Sequence, residues 1–346
     1  MNLNFLKNKT ILITGGTGSI GSALVYQLIK TKCKVIRVMS NDENGLYELS
    51  RKLNLSLLNF NNFYEDMSKN KIRFFLGDVR DIKRCDEVTK NVDIVIHAAA
   101  LKHVSIVEYN PREAYQTNIL GTKNLIKSSI KNKVSKFLFI STDKVVSPTN
   151  MMGKTKLRAE QIISNKKSFF KNSKIKMSCI RFGNVLGSRG SVIPNFIYLL
   201  KDKKDVTVTD PKMARFVMTL NDAVSSVLKS ISLMNGQEIF ISKSMKCFKI
   251  YDLALVLRNY FIKTNKKKSK IIISKKSLGE KYEEELYTKK EIPFIQIKNN
   301  LFIISNKKIA QNRKQINLLN KYRVSNYNFV KKNEILKLLK RNKIIH

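Results

Sequence analysis

A chain of 346 residues with 43% hydrophobic content is long enough for one large core or for a core with a smaller lobe, which excludes disorder as its main theme. Its 66 Lys and Arg against 26 Asp and Glu leave a formal charge of +40. The lysines are spread through nearly every segment without a stripe of interleaved aromatics, so nucleic acid is not an expected partner, although an anionic substrate would gain from the field.

Cys33, Cys85, Cys179 and Cys247 form no Cys-x-x-Cys pair, so neither a disulfide framework nor a zinc site is indicated, and no metal is expected. The N-terminus runs into a strand that glycines interrupt at once, unlike a signal peptide. No apolar run reaches bilayer-spanning length. A cytoplasmic protein with no membrane span is the expectation.

In chain order, Ile11-Leu12-Ile13 precedes Thr14-Gly15-Gly16-Thr17-Gly18-Ser19-Ile20-Gly21, and Ala23, Leu24, Val25, Leu28 and Ile29 follow at helical spacing. Strand, glycine turn and helix form the phosphate-cradling start of a dinucleotide fold. Gly15 permits the tight turn, Gly18 admits pyrophosphate and Gly21 lets helix pack on strand. Thr17, Ser19 and Ile20 complete the expected cofactor turn.

A second strand, Lys34 to Met39, ends at Ser40-Asn41-Asp42, where an acidic residue should meet the adenosine ribose. Asp42 is either that contact or a solvated turn carboxylate. No arginine stands directly after the strand to pair a 2′-phosphate, which tilts the cofactor toward NAD over NADP.

Phe74 to Leu76 leads into Gly77-Asp78-Val79-Arg80-Asp81, where Asp78 either accepts a bond from adenine or, like Asp81, starts the next helix. The strand Val92 to Ile96 runs into His97-Ala98-Ala99-Ala100-Leu101-Lys102-His103. Its alanines allow a flat cofactor against backbone, and Lys102 can reach phosphate or sugar oxygens. His97 and His103 read as structural or hydrogen-bonding residues. Pro111 to Ile130 reads as one long helix whose mid-helix Asn118 implies a buried side-chain bond or a bend.

The apolar run Phe137-Leu138-Phe139-Ile140 reads as a buried parallel strand, with Ser141-Thr142-Asp143-Lys144 at its C-terminal tip facing the ligand crevice. There a hydroxyl, a carboxylate and an amine can divide proton transfers. Met152 and Lys156 follow one helical turn apart. Arg181-Phe182-Gly183-Asn184 through Arg189-Gly190-Ser191 to Pro194 suits a loop closing over an anionic ligand. Strands are expected near Ile175 to Ile180, Val206 to Asp210 and Glu238 to Ser242, and helices at Leu220 to Met234 and Tyr251 to Tyr260. Gly279-Glu280-Lys281 reads as an acidic helix start, Lys266-Lys267-Lys268 as a solvated loop, and Ser325 to Leu339 as a connector and short helix.

The expected fold is α/β: a Rossmann-like doubly wound parallel sheet with a smaller C-terminal substrate-binding lobe. Residues 1–180 form the dinucleotide-binding domain with 216–242 returning to it. Residues 181–215 and 243–346 form the lobe and tail.

These motifs, with Glu108-Tyr109-Asn110-Pro111, Thr209 to Phe216 and the tail around Tyr322-Arg323-Val324-Ser325-Asn326, resemble the UDP-N-acetylglucosamine 4,6-dehydratases of the extended short-chain dehydrogenase/reductase superfamily, and the soluble, configuration-inverting members in particular. The resemblance spans nearly the whole chain. It implies tightly bound, recycled NAD or NADP, UDP-N-acetylglucosamine as substrate and a homo-oligomer. It further implies oxidation at sugar C4, loss of water across C5 and C6, return of hydride to C6 and inversion at C5. By the same matching Lys144, if held neutral, is the base for the C5 proton and Asp143 the acid for the C6 hydroxyl. Thr142 bonds near O4 and Lys156 holds the nicotinamide ribose. Lys102 and Asn184 contact substrate and Arg189 the UDP phosphates; Ser191, Arg215 and Glu280 belong to the same substrate set.

Where most short-chain dehydrogenases place a tyrosine, this chain has Met152, whose thioether can neither give nor take a proton. The acceptor at O4 is then unassigned, with Asp143 or a relayed water as candidates. Two rival readings remain: a nucleotide-sugar 4-epimerase on the same fold, and a non-catalytic dinucleotide- or polyanion-binding protein.

Overall fold

The computed structural model describes residues 3–53, 71–164, 173–265, 269–276, 279–322 and 327–345. The lysine run 266–268 and residues 323–326 of the tail lie outside them. Short apolar strands alternate with amphipathic helices from the start of the chain, as the periodicity requires. The strands are β1 (Thr10–Thr14), β2 (Val35–Ser40), β3 (Ile72–Leu76), β4 (Ile94–His97), β5 (Lys136–Ile140), β6 (Lys176–Arg181), β7 (Asn184–Val185), β8 (Val206–Val208), β9 (Ala214–Met218), β10 (Ile239–Ser242), β11 (Lys246–Lys249), β12 (Ile271–Ile273), β13 (Ile295–Lys298) and β14 (Leu301–Ile304).

Nine of these form one sheet in the order β13-β14-β10-β6-β5-β4-β1-β2-β3. From β3 across to β10 every pairing is parallel. Parallel strands with helices on both faces are buried on both sides, so β1 and the last four residues of β5 are wholly buried and uniformly apolar at their centres. Strand order reverses between β1 and β4: β2 and β4 pair with the two flanks of β1, and the crevice opens beyond the C-terminal ends of β1 and β4. The hairpin β13–β14 joins antiparallel to β10 and finishes that edge of the sheet.

A second apolar cluster gathers helices Val192–Lys201, Ile250–Asn265 and Lys332–Arg341 through Phe196, Leu200, Leu257, Ile335 and Leu339. Beside it lie two small sheets, β11-β9-β7 and β12-β8.

Two helical expectations are corrected. The span from Pro111 to Lys131 is not one regular helix: a π-helical stretch, Tyr115–Gly121, separates Pro111–Ala114 from Thr122–Lys131. Its cause lies in Asn118, whose Oδ1 accepts from the Leu101 amide at 2.9 Å while Nδ2 donates to the Leu101 carbonyl and to Thr155 Oγ1. The extra residue per turn turns this side chain inward, where it fixes the segment after β4. Nor does a helix open at Gly279. That residue takes φ +78°, and the segment to Leu286 runs as turns, held by bonds from Thr149 and Asn150 to the Gly279 carbonyl and from the Ala214 amide to the Tyr282 carbonyl.

Beneath the sheet's C-terminal edge, Arg181 at the end of β6 is buried against Glu160 of helix Met151–Ser164 at 2.6 Å and Glu291 at 2.8 Å, and also donates to the Leu286 carbonyl. Burial opposes a charged guanidinium, but the two carboxylates hold Arg181 well above its ordinary value. Removing one partner leaves that charge undercompensated in the interior. Glu160→Ala should therefore cost about 3 kcal/mol of stability, read as a lowered urea midpoint; an unchanged midpoint would show the ion network to be dispensable.

Candidate functional site

Backbone geometry makes the cradle. Gly15 adopts φ +65°, and a Cβ there would stand 2.7 Å from the Ala99 amide nitrogen, so only glycine lets β1 and β4 approach at this turn. A Cβ on Gly21 would overlap the Gly15 carbonyl, which fixes how closely the helix Ser19–Ile29 begins against the turn. No side chain caps that helix at Gly18, so its first amides point into the crevice, the arrangement that receives a pyrophosphate.

Around the cradle runs a cleft of about 790 Å³. Thr17, Ser19 and Ile20 line its floor. At the end of the cleft beside β2 and β3 stand Ser40, Asn41, Asp42, Asp78 and Val79, with Ala98, Ala99 and Ala100 as a wall of small side chains. The residues present fit a dinucleotide: uncapped amides for phosphate, a carboxylate at the end of β2 and small side chains where a planar ring would lie.

Asp42 also caps the helix Glu43–Lys52, accepting from the Gly45 amide at 2.9 Å. It has a partner that strand-local reading could not supply. Arg189, from the loop after β7, donates to the Thr17 carbonyl at 3.0 Å and comes within 3.5 Å of Asp42. A guanidinium therefore does stand beside the end of β2. Asp78 is gripped by Arg80 at 2.7 Å; burial alone would raise its carboxyl, but Arg80 and Asn41 hold it below its usual range. The helix N-cap is Asp81, whose side chain accepts from the Lys83 and Arg84 amides.

His97 is fully buried between the Thr14 and Thr122 hydroxyls, at 2.7 and 2.9 Å, and burial pushes its pKa down to about 3. It is a neutral hydrogen-bonding residue. Among the described residues no cluster of His, Cys, Asp and Glu has a metal-holding arrangement.

The chemistry gathers at the tip of β5. The Ser141 and Asp143 amides bond the Ile180 and Phe182 carbonyls, prolonging the β5–β6 ladder past its last strand residue and fixing the tip. Thr142 caps the single turn Asp143–Val145, and its hydroxyl donates to Asp143 Oδ1 at 2.9 Å. Lys144 Nζ donates to the same oxygen at 3.0 Å and to Asn184 Oδ1 at 3.2 Å. Lys156 Nζ donates to the Ile140 carbonyl at 2.7 Å over the Phe139 ring, and burial lowers its pKa to about 8.

Thr142, Lys144, Lys156, Lys102, Asn184, Arg189, Ser191 and Glu280 all face the cleft. Two expected residues do not. Asp143 is fully buried beneath the tip, and Arg215 is buried with its guanidinium on the Ala214 and Tyr282 carbonyls and the Met213 sulfur. Met152 lines the cleft from a small apolar cluster with Val107 and Ala114, a setting in which a thioether is at home.

The surroundings of Lys144 in the free protein favour its charged form. Burial lowers its pKa, but Asp143 and Glu284, whose Oε1 stands 3.7 Å from Nζ, outweigh it and raise the value. Glu284 went unread in the sequence, where four of the 26 acidic residues fall between 280 and 285 in a run that looks solvated. That clustering of rare acids was the available signal. It could not say that Glu284 is buried under β5 while Glu283 and Glu285 are not.

Sheet and cradle define a Rossmann-type nucleotide-binding fold. The family model described as polysaccharide biosynthesis protein matches residues 11–306. Over 333 residues the chain is 43% identical to an uncharacterised membrane protein of Methanocaldococcus jannaschii, covering 93% of this chain and 95% of that one. It is 36% identical over 344 residues to a UDP-glucose 4-epimerase of Rickettsia bellii, covering 96% and 95%.

Among solved structures, Pen from Bacillus thuringiensis superposes with TM-score 0.85 at 37% identity, covering 97% and 98%. A dTDP-glucose 4,6-dehydratase of Streptomyces venezuelae, solved with NAD bound, shares the fold with TM-score 0.66 at 16% identity over 90% and 96%. The chain belongs to the polysaccharide biosynthesis protein family, a family of nucleotide-sugar dehydratases and epimerases. No helix among the described residues is long and apolar enough to cross a membrane.

Gly15→Ala forces a left-handed backbone on an L-residue and a Cβ against Ala99. It should abolish cofactor retention through purification, read as loss of the bound-dinucleotide absorbance; normal occupancy would refute the cradle assignment.

Proposed function

We propose that this protein removes water from UDP-N-acetylglucosamine, giving a UDP-4-keto-6-deoxy-N-acetylhexosamine with inversion at C5. The observation that carries the reading is the proton-handling group at the tip of β5: Lys144 faces the cleft between Asp143 and Glu284, with Thr142 bonded to Asp143. An epimerase that moves hydride on and off C4 needs one proton acceptor at O4. It has no use for an amine ringed by carboxylates. Elimination across C5 and C6 must take a proton from carbon and give one to a leaving hydroxyl, which calls for two groups of opposite role held together.

NAD or NADP, when bound, would supply the hydride chemistry between sugar C4 and C6. The glycine turn, Ser40, Asn41 and Asp42, Asp78 and Val79, the three alanines and Lys156 hold it. Lys102, Asn184, Arg189, Ser191 and Glu280 hold the nucleotide sugar. Supporting this, the Ser191 hydroxyl oxygen is buried with no hydrogen-bond partner, as a ligand-contacting group would be before its ligand arrives.

Lys144, once neutral, takes the C5 proton made acidic by the C4 ketone. That proton passes from Lys144 to Asp143, and Asp143, then neutral, donates to the Thr142 hydroxyl, which turns from donor to acceptor and releases its own proton to the departing C6 hydroxyl. Met152 excludes water from the sugar's C4 side and takes no part in proton transfer. The Rickettsia relative's name keeps 4-epimerisation as the second reading.

Incubation with UDP-N-acetylglucosamine in heavy water, followed by proton NMR, should show the C6 hydroxymethyl signals replaced by a methyl group and deuterium at C5. Interconversion with the galacto epimer without loss of water would overturn the proposal. Lys144→Ala should lower dehydration by about 10²-fold or more with cofactor still bound; undiminished turnover would remove Lys144 as the base.

A further inference from the structure

An amine that is to accept a proton from carbon must first give one up. In the free protein Lys144 is a charged ammonium, and its side chain is only 19% exposed even with the cleft open. A nucleotide sugar lying over it would close the remaining route to solvent. The proton therefore needs an acceptor within the protein.

Three charged groups stand around Lys144: Asp143 beneath it, Glu284 from the segment after Gly279, and Arg215 from β9. Asp143 Oδ1 already receives the Thr142 hydroxyl and the Lys144 ammonium, an arrangement that orients the amine. Glu284 differs. It is 3% exposed, its Oε1 faces Lys144 Nζ at 3.7 Å, and its Oε2 is buried with no hydrogen-bond donor, the Lys281 ammonium standing off at 3.5 Å; Asp143 Oδ2 is buried without a partner too, but Asp143 keeps two donors on Oδ1 where Glu284 has none at hydrogen-bond length. An underbonded buried carboxylate is the poorly stabilised partner of the set.

Building on the dehydratase reading, we propose that Glu284 is the internal acceptor of the Lys144 proton. When substrate displaces water, one proton moves from Lys144 Nζ to Glu284 Oε1, an N–H bond breaking and an O–H bond forming with no change in net charge. A neutral amine is left facing the sugar and a neutral carboxylic acid behind it. After the C5 proton has been taken and passed on, the pair returns to its starting state.

Burial favours this exchange, because an ion pair in a dry cleft is replaced by two uncharged groups. Burial, then Asp143, already raise the Glu284 carboxyl against the opposing pull of Lys144, Arg215 and Lys281. The transfer requires Nζ and Oε1 to close by about 1 Å to hydrogen-bond length, within reach of a lysine side-chain rotation. The segment carrying Glu284 is fixed to receive it: Lys281 Nζ donates to the Val146 carbonyl, and Arg181 donates to the Leu286 carbonyl and to Glu291. Glu284 acts through Lys144 and touches no substrate atom.

Two measurements on the full-length holoenzyme test this. In the first, kcat is followed from mildly acidic to alkaline pH. The wild type should be flat through the neutral range, since transfer within the pair draws no proton from solvent. Glu284→Gln removes this acceptor, and a proton that must leave to solvent makes kcat fall about 10–10²-fold at neutral pH and climb about tenfold per pH unit; a flat profile would mean that Asp143, at 3.0 Å, takes the proton instead. Glu284→Asp should restore the flat profile at reduced rate. A Glu284→Gln enzyme that is folded by circular dichroism and slowed by one constant factor at every pH, or not slowed, overturns the proposal.

The second is infrared difference spectroscopy on adding UDP-N-acetylglucosamine. A protonated-carboxyl band should appear in the wild type and be missing in Glu284→Gln. A wild type that shows the band but releases no water sinks the dehydratase reading and leaves the proton transfer standing. Turnover without the band, or neither band nor turnover, sinks the transfer.

Discussion

A single buried guanidinium ties together the parts of this molecule that must act at once. Arg181 ends β6, the neighbour of the strand that presents Thr142 to Lys144; its Glu160 partner lies one helical turn beyond Lys156, and its Glu291 partner lies just past the segment that carries Glu284. Glu160 also accepts from the Ser141 hydroxyl at 2.8 Å, so the base of the catalytic tip is part of the same set of bonds. An ion network of this kind is weak evidence for stability, since its desolvation offsets much of its attraction. Its value here is geometric. It fixes a helix and a distant turn segment relative to one sheet edge, and the distances among Lys144, Asp143 and Glu284 follow from it.

Electrostatics at the tip works against intuition drawn from residue types alone. A buried lysine is expected to lose its charge, and Lys156 moves that way because it faces a carbonyl and a ring rather than a carboxylate. Lys144 is buried as well, yet moves the other way because two acids face it. Of two lysines twelve positions apart, one is tuned down by burial and the other held charged by partners, so each is fitted to a different task.

Much of the sheet could be read in advance because it rests on local constraints. The glycine turn needs its glycines for backbone reasons visible in the sequence. The run from Phe137 to Ile140 is uniformly apolar because both its faces are covered, and Asn118 is conspicuous as a poor helix former in a helix. What escaped reading depends on contacts between segments far apart in the chain. Arg189 reaches the glycine turn across 172 positions and Arg181 reaches Glu291 across 110, and nothing in a linear run announces either. Glu284 was hidden for the same reason: in a lysine-rich chain, an acidic stretch looks solvated until tertiary structure shows which member is buried.

The antiparallel hairpin at the far edge of the sheet has a consequence for how the enzyme comes into being. As the polypeptide leaves the ribosome, β1 to β6 and β10 are all present once residue 242 has emerged, so a dinucleotide cradle can condense early. Glu284 follows later in the chain, and β13 and β14, later still, cover the open flank of β10. The strands that frame the crevice thus all precede the segment that carries Glu284 in the chain. The last strands to be made are the ones that finish the sheet's edge.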